Sequence, residues 1–361
     1  MKIAILFHWN YGMESGVYKK ILCQVKFWRL FGHEVGIFQI SRENSEVAEC
    51  GYNSWKIFRY FPSSWMNRLY AWKSAVQAIL KWQPDIVYHR FDLYYPALVE
   101  LARKAPLVLE INTNDLKEYC LRPDFRCIYN HFTRGLLLRE AAGMVFVSSE
   151  LSKMPHFMRY RKPFIVIGNG IELEDYNPLP PTGNNVPHIV FIGSDGQPWH
   201  GVDKILALAE LKPDWMFEII GFNSNETNKV NVTFHGVLFR REYERILARA
   251  DIAVGTLALH RKKMNEASSL KVREYLAYGL PTIIGYKDTD FPEPVPFILE
   301  LPNSEQNVVC GIKAIEAFVK KWRGKRVPRE AVLRLDAGYK EQIRLSFFLK
   351  VLEQYNKQRF S

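Results

Sequence analysis

Long apolar runs are missing from this 361-residue chain. No segment approaches the ~20 consecutive apolar residues of a spanning helix, which excludes a helical membrane anchor within it. A secretory leader is not evident either, because MKIAILF at Met1–Phe7 lacks the charged-then-apolar build of one. The expected location is therefore the cytoplasm or the inner face of its membrane. Cysteine is scarce: Cys23, Cys50, Cys120, Cys127 and Cys310 are odd in number and scattered, with only a loose Cys120/Cys127 spacing. They are expected to be reduced, structural thiols. No Gly-aromatic strand motif, zinc-ligand set or helix-turn-helix frame accompanies the net charge of +11, so no nucleic-acid partner is expected. Acid is absent from Gly51 to Trp82, a stretch that carries Lys56, Arg59, Arg68, Lys73 and Lys81 among nine aromatic residues. Leu69, Trp72, Val76 and Ile79 have helical spacing and go to the core. The basic face that remains, with Lys56, Arg59 and Arg68 in front, suits an anionic membrane surface.

A hydrophobic content of 48% is ample for two cores, and the length exceeds what one core usually serves. Short apolar runs alternate with helical segments, the pattern of parallel sheets covered on both faces. Strands are expected at 3–7, 34–38, 86–88, 107–111, 143–147 and 165–167, then at 189–192, 216–220, 232–235, 252–255 and 282–284. Proline and glycine interrupt every pattern between Asn177 and Pro187. This divides the chain into a first domain over 1–176, a linker over 177–187 and a second domain over 188–339. A last helix over 340–361 has an apolar stripe through Ile343, Phe347, Phe348, Val351 and Leu352.

Glu266 to Gly285, EASSLKVREYLAYGLPTIIG, is the most informative stretch. Ser268 and Ser269 can cap a helix whose first N–H groups lack internal partners, which is an anion site by charge and geometry, and Lys271 adds a full positive charge in the first turn. Gly279 and Pro281 stop the helix before a short strand. A Glu, seven residues, a second Glu and then Gly-x-Pro resemble the signature of retaining family-4 glycosyltransferases. PFIVIGNGIELEDYNP at 163–178 and HIVFIGSDGQPWHGVDKIL at 188–206 resemble that family's crossover and second-domain opening, so the similarity spans nearly the whole chain.

The resemblance implies an α/β GT-B architecture: two doubly wound Rossmann-like domains facing across a cleft, with the last helix returning to the first domain. It implies a donor that is a nucleotide diphosphate sugar, with no other cofactor, and an acceptor that is a glycan, lipid-linked and destined for a surface polysaccharide. Glu266 is expected near the transferred sugar and Glu274 on the donor ribose, about 12 Å apart if the segment is helical throughout. Lys271 is expected to stabilise the departing diphosphate, with Ser194, His200, Gly221, Ser268, Ser269 and Leu270 around the donor. Family members often carry Arg and Lys where this chain has Ser194 and His200, so Lys271 and the helix start take more of that load. Gly12, Gly16, His89 and Asn112 are candidates for the cleft and acceptor, with His8 and Arg90 nearby. Asn112 stands where family members often have a histidine, and it cannot act as a base. A nucleotide-sugar epimerase and a catalytically dead sugar-nucleotide-binding module are the alternatives. Asp288-Thr-Asp290 has the look of a metal-binding Asp-x-Asp, but turn chemistry explains it equally, and no required metal is expected.

Overall fold

The computed structural model describes residues 1–12, 15–43, 55–121, 124–223 and 230–360. Cys50 and the Gly51–Ser54 start of the acid-free stretch lie outside the described residues. The chain packs as two compact units, Met1–Gly168 with the C-terminal stretch from Ala337, and Asn169–Asp336.

The first unit is built on seven parallel strands, β1 (Lys2–His8), β2 (Glu34–Arg42), β3 (Trp55–Tyr60), β4 (Ile86–Arg90), β5 (Leu107–Ile111), β6 (Gly143–Phe146) and β7 (Phe164–Val166). They lie in the order β3-β2-β1-β4-β5-β6-β7. Strand order reverses between β1 and β4, and ligands of doubly wound sheets lie beyond the carboxyl ends of the strands at that point. β1 is almost wholly buried, as a central parallel strand covered on both faces must be. β3 is an edge strand that the sequence reading missed. WKIFRY pairs with β2 over six positions, and its aromatic and β-branched content suits a pleated edge although its charges read as surface. The Trp65–Trp82 helix buries Trp72, Val76 and Ile79 as its spacing predicts, while Leu69 is only half-buried. The final helix, Ala337–Phe360, adds Phe347, Phe348 and Val351 to the first unit's core, where Phe348 meets the rings of Trp28 and Tyr88 at 5.5 and 5.3 Å.

The second unit carries β8 (His188–Ile192), β9 (Met216–Ile220), β10 (Val232–Phe234), β11 (Ile252–Val254), β13 (Thr282–Ile284) and β15 (Ile298–Glu300). These six are parallel in the order β10-β9-β8-β11-β13-β15, and a separate two-stranded ladder joins β12 (Glu266–Ala267) to β14 (Lys287–Asp288). The reversal here falls between β8 and β11. The proline-rich stretch before β8 belongs to this unit. Leu179 N–H donates to the Tyr278 carbonyl at 2.9 Å, and Asn184 and Thr182 both donate to the Asp251 carboxylate.

One expectation is corrected outright: Cys120 and Cys127 form a disulfide. Cys120 follows the short helix Asp115–Glu118, and Cys127 lies in the first turn of the Phe125–Glu140 helix. Their Cα atoms are 5.0 Å apart, well inside bridging range. Among the described residues no helix is long and apolar enough to cross a membrane.

Candidate functional site

In the second unit the segments that follow β8, β9 and β11 come together. Gly193 and Gly221 end β8 and β9 in mutual contact. Gly221 has φ +91°, and a Cβ there would stand 2.0 Å from the Gly193 carbonyl oxygen, so only glycine fits. Gly201, at φ +75°, ends the Pro198–His200 turn against Leu257 and Ala258 after β11. That turn is tied to the same loop, since Leu257 N–H donates to the His200 carbonyl and Ala258 N–H to that of Trp199. The sequence thus sets a close-packed backbone floor at the point where strand order reverses.

Two cationic or potentially cationic groups meet at the Phe191 ring of β8. Lys271 lies in the first turn of the Leu270–Ala277 helix, and its Nζ is buried, 4.3 Å from the centre of the Phe191 ring, with no hydrogen-bond partner. Burial lowers its pKa from the ordinary 10.5 to about 7. His200 lies on the same ring, 5.7 Å between centroids, and its Nδ1 is buried without a partner. Burial first, then the neighbouring Lys271 and Lys262, pushes the His200 pKa far down, so it is neutral at pH 7. A buried ammonium with nothing to bind is costly unless an anion completes it. Ser194 is exposed and accepts from Gln197 Nε2 at 2.6 Å.

The two glutamates are held differently. Glu274 accepts from the Tyr243 hydroxyl at 2.7 Å, and Tyr243 projects from the Arg240–Arg249 helix. Burial, then Glu274, raises the Tyr243 pKa, so its hydroxyl stays a donor and fixes the carboxylate. Glu266 lies on β12, in register with Lys287. The helix begins only at Leu270, half-buried at its first position, so the all-helical spacing of the two carboxylates is corrected: the first half of the segment is a strand and a turn.

The serines are also corrected in role. Ser269 takes the N-cap position without a side-chain cap bond. Ser268 is buried and bound within the unit: its Oγ accepts from Asn169 N–H at 2.6 Å and from Arg273 Nη2 at 2.9 Å. Arg273 is fully buried and binds Asp288 with two nitrogens at 2.6 and 2.9 Å and Asp290 at 2.6 Å. The Asp-x-Asp pair is therefore an internal partner of Arg273, reinforced by Asp290 N–H donating to Asp288 Oδ1. Among the described residues no group of three or more His, Cys, Asp or Glu could hold a metal ion.

The first unit has its own cavity of ≈ 220 Å³ beyond β1, β4 and β5, lined by His8, Trp9, Arg90, Asp92, Asn112 and Tyr119 among others. His8 Nδ1 pairs with Asp92 at 2.8 Å, while its Nε2 is 2.8 Å from the Tyr60 hydroxyl. Burial would raise the Asp92 pKa, but hydrogen bonds from His8 and Tyr119 and the nearby Arg68 outweigh it and hold the carboxylate ionised. Asn112 donates to Glu110 and accepts from Lys20 Nζ at 3.2 Å. Burial would likewise raise the Glu110 pKa, but Lys20, Arg344 and Arg90 keep it charged. Trp9 and Tyr11 place their rings 5.2 Å apart, a platform for the C–H face of a sugar ring beside amide, carboxylate and guanidinium groups that pair with hydroxyls.

His89 does not reach this cavity. It is fully buried, with Nδ1 2.9 Å from the Leu6 carbonyl and its ring against Trp72, and burial lowers its pKa to about 4, so it is a core histidine. Gly12 and Gly16 flank Ser15, which caps the Gly16–Leu30 helix through Tyr18 N–H and accepts from Trp9 Nε1 at 2.8 Å. Arg68 turns inward to His8, Asp92 and the rings of Tyr60 and Tyr95. Arg59 bonds the Glu43 carbonyl at 2.8 Å, and Lys56 is exposed on the sheet edge.

No family model matches the sequence, and no curated protein matches it. Solved structures do. Sucrose-phosphate synthase from Thermosynechococcus elongatus is 12% identical with a TM-score of 0.67, covering 99% of this chain and 98% of its own. The lipopolysaccharide outer core galactosyltransferase WaaB, in its apo form, is 13% identical with a TM-score of 0.61 over 97% and 100%. UDP-GlcNAc 2-epimerase from Neisseria meningitidis, bound to UDP-GlcNAc, is 14% identical with a TM-score of 0.53 over 97% and 100%. At these identities the likeness shows the architecture alone: the chain has the GT-B fold, with two Rossmann-like units.

Proposed function

We propose that the chain is a retaining, metal-independent glycosyltransferase that moves a hexose-type unit from a nucleotide diphosphate sugar to a glycan acceptor, lipid-linked at the inner face of an anionic membrane. The buried Lys271 Nζ at a helix start, over the Phe191 ring of β8 and without a hydrogen-bond partner, carries this reading. An ammonium in that setting is completed by a diphosphate, and its charge stabilises the leaving group as the glycosidic bond to the donor breaks. Glu274, fixed by Tyr243, accepts from the ribose hydroxyls, and Glu266 lies toward the transferred sugar. His200, neutral, donates one hydrogen bond to the phosphate. Asp288 and Asp290 are committed to Arg273, which supports a diphosphate held by cations of the protein rather than by a metal.

The acceptor sugar takes the cavity of the first unit, stacked on Trp9 and hydrogen-bonded by Asn112. Asn112 cannot act as a base, and the departing phosphate oxygen takes the proton of the attacking hydroxyl on the same face of the sugar. The GT-B epimerase among the similar structures gives the second reading, isomerisation of the donor with no acceptor.

One incubation separates them. With the matching nucleotide sugar and a lipid extract, transfer releases nucleoside diphosphate and labels the lipid fraction with retained anomeric configuration. Isomerisation instead converts the donor in the absence of lipid. Trp9→Ala should raise the acceptor KM about tenfold, the scale of one lost stacking contact, and leave donor binding unchanged. A loss of donor binding in that variant would contradict the assignment of the two sites.

A further inference from the structure

The Phe125–Glu140 helix carries an apolar row on its outer side, opposite the side it buries. Asn130, Arg134, Leu137 and Leu138 point into the first unit. On the other side Phe125, Ile128, Phe132 and Leu136 recur at i, i+3, i+7 and i+11 with 66%, 61%, 77% and 42% of their surface exposed. The row is ~16 Å long at 1.5 Å per residue, too large and too regular for scattered surface apolar residues. Trp65, itself 39% exposed, extends it, meeting Tyr129 edge-on at 5.5 Å.

The charge around this row is net positive. Asp124 is saturated by Arg126, and Glu140 by Arg103 at 3.0 Å. Arg139 is exposed at the end of the row. Along the flank, Tyr160 would touch a Cβ at Gly135, and Arg159 stacks on Tyr160 at 5.0 Å. From Leu151 to Ile171 there is no Asp or Glu, but there are Lys153, Arg159, Arg161 and Lys162. Large apolar side chains bordered by cations fit the boundary between acyl chains and anionic headgroups, where insertion and electrostatic attraction act together.

We infer that the first unit docks on an anionic bilayer through the exposed row of the Phe125–Glu140 helix and its basic flank. This deepens the reading of a lipid-linked acceptor and rests on it for its purpose. It also relocates the contact expected at Lys56, Arg59 and Arg68, of which Arg68 is spent inside the unit.

The test is partition of the full chain onto phosphatidylglycerol–phosphatidylcholine vesicles and onto pure phosphatidylcholine vesicles, with nucleotide binding and thermal midpoint measured on the same samples. The native chain should favour the anionic vesicles. Ile128→Glu with Phe132→Glu, and the milder Ile128→Ser with Phe132→Ser, should each lower partition at least about tenfold while nucleotide binding and midpoint hold. Lys56→Glu with Arg59→Glu should change it less than threefold, roughly the effect of distant screened charges. The inference is overturned if the native chain does not bind anionic vesicles, or if the helix variants bind as it does. It is equally overturned if a native dimer becomes monomeric on Phe132→Ser, since a second copy would then cover the row. Loss of partition with intact nucleotide binding concerns docking alone, whereas absence of nucleotide binding in the native chain concerns the enzymatic reading.

Discussion

Lys271→Met is expected to lower kcat/KM for the donor by 10²–10³, about 2.7–4 kcal/mol, the loss seen when one group aimed at developing charge is removed from a dry site. Met keeps an unbranched apolar stem and removes the ammonium that lies over Phe191. A second readout distinguishes this from a structural defect. The Lys271 pKa is about 7 in the folded chain, against an ordinary 10.5. Between those values the unfolded state holds more protons, so stability rises with pH across that window. Below pH 7 both states are protonated, and the cost of the buried charge is felt in full. Lys271→Met should therefore raise the thermal midpoint of the ligand-free protein most at pH 6 and progressively less toward pH 10. Binding of diphosphate restores the charged form, so calorimetry near pH 8 should record uptake of about one proton, and affinity should fall as pH rises above 7. Unchanged kinetics and unchanged midpoints would remove Lys271 from the site.

Arg273→Leu should destabilise the second unit by about 3–5 kcal/mol, the cost of breaking a buried ion pair from one side. Arg273 is fully buried and joins Asp288, Asp290, Ser268 and the Asn169 carbonyl. Its loss leaves the Asp288 and Asp290 carboxylates without their guanidinium, and for a unit of this size the midpoint of its unfolding should drop on the order of 10 °C. Because these contacts anchor the turn between Glu266 and the Leu270–Ala277 helix, donor binding should weaken as well. Adding Asp288→Leu should recover part of the stability, since an apolar pair replaces a stranded charge. If Arg273→Leu unfolded at the native midpoint, the Asp-x-Asp pair would be open for another partner, and the internal ion-pair account would fail.

The strands were legible in the sequence because they are short β-branched runs bounded by turns; Leu107–Ile111, Met216–Ile220 and Thr282–Ile284 coincide with their expected limits. β3 was hidden because Lys56 and Arg59, three positions apart, break the period of two that marks a strand, and β15 because a three-residue strand is too short to show a period. Lys271 was visible as a charge in the first turn of a serine-started helix. Its isolation was not, since that depends on Phe191, 80 positions away in sequence. Ser268 looked like a cap, but the backbone of Asn169, 99 residues distant, claims it. His8 and Asp92 are separated by 84 residues, so a pair that shapes the cavity left no local signal. His89 fared the opposite way. β4 is buried on both faces, and no alternation warned that its histidine points into the core.

The central claim is that the second unit binds a nucleoside diphosphate at Lys271 and Glu274. Its most direct test is a thermal-shift titration of the full chain with uridine, guanosine, adenosine and thymidine diphosphates and their sugars, with and without a chelator. The account predicts a rise in midpoint for one base, undiminished by chelation and lost in Glu274→Ala and Lys271→Met. No rise with any of the eight ligands, or a rise that both variants keep, would contradict it.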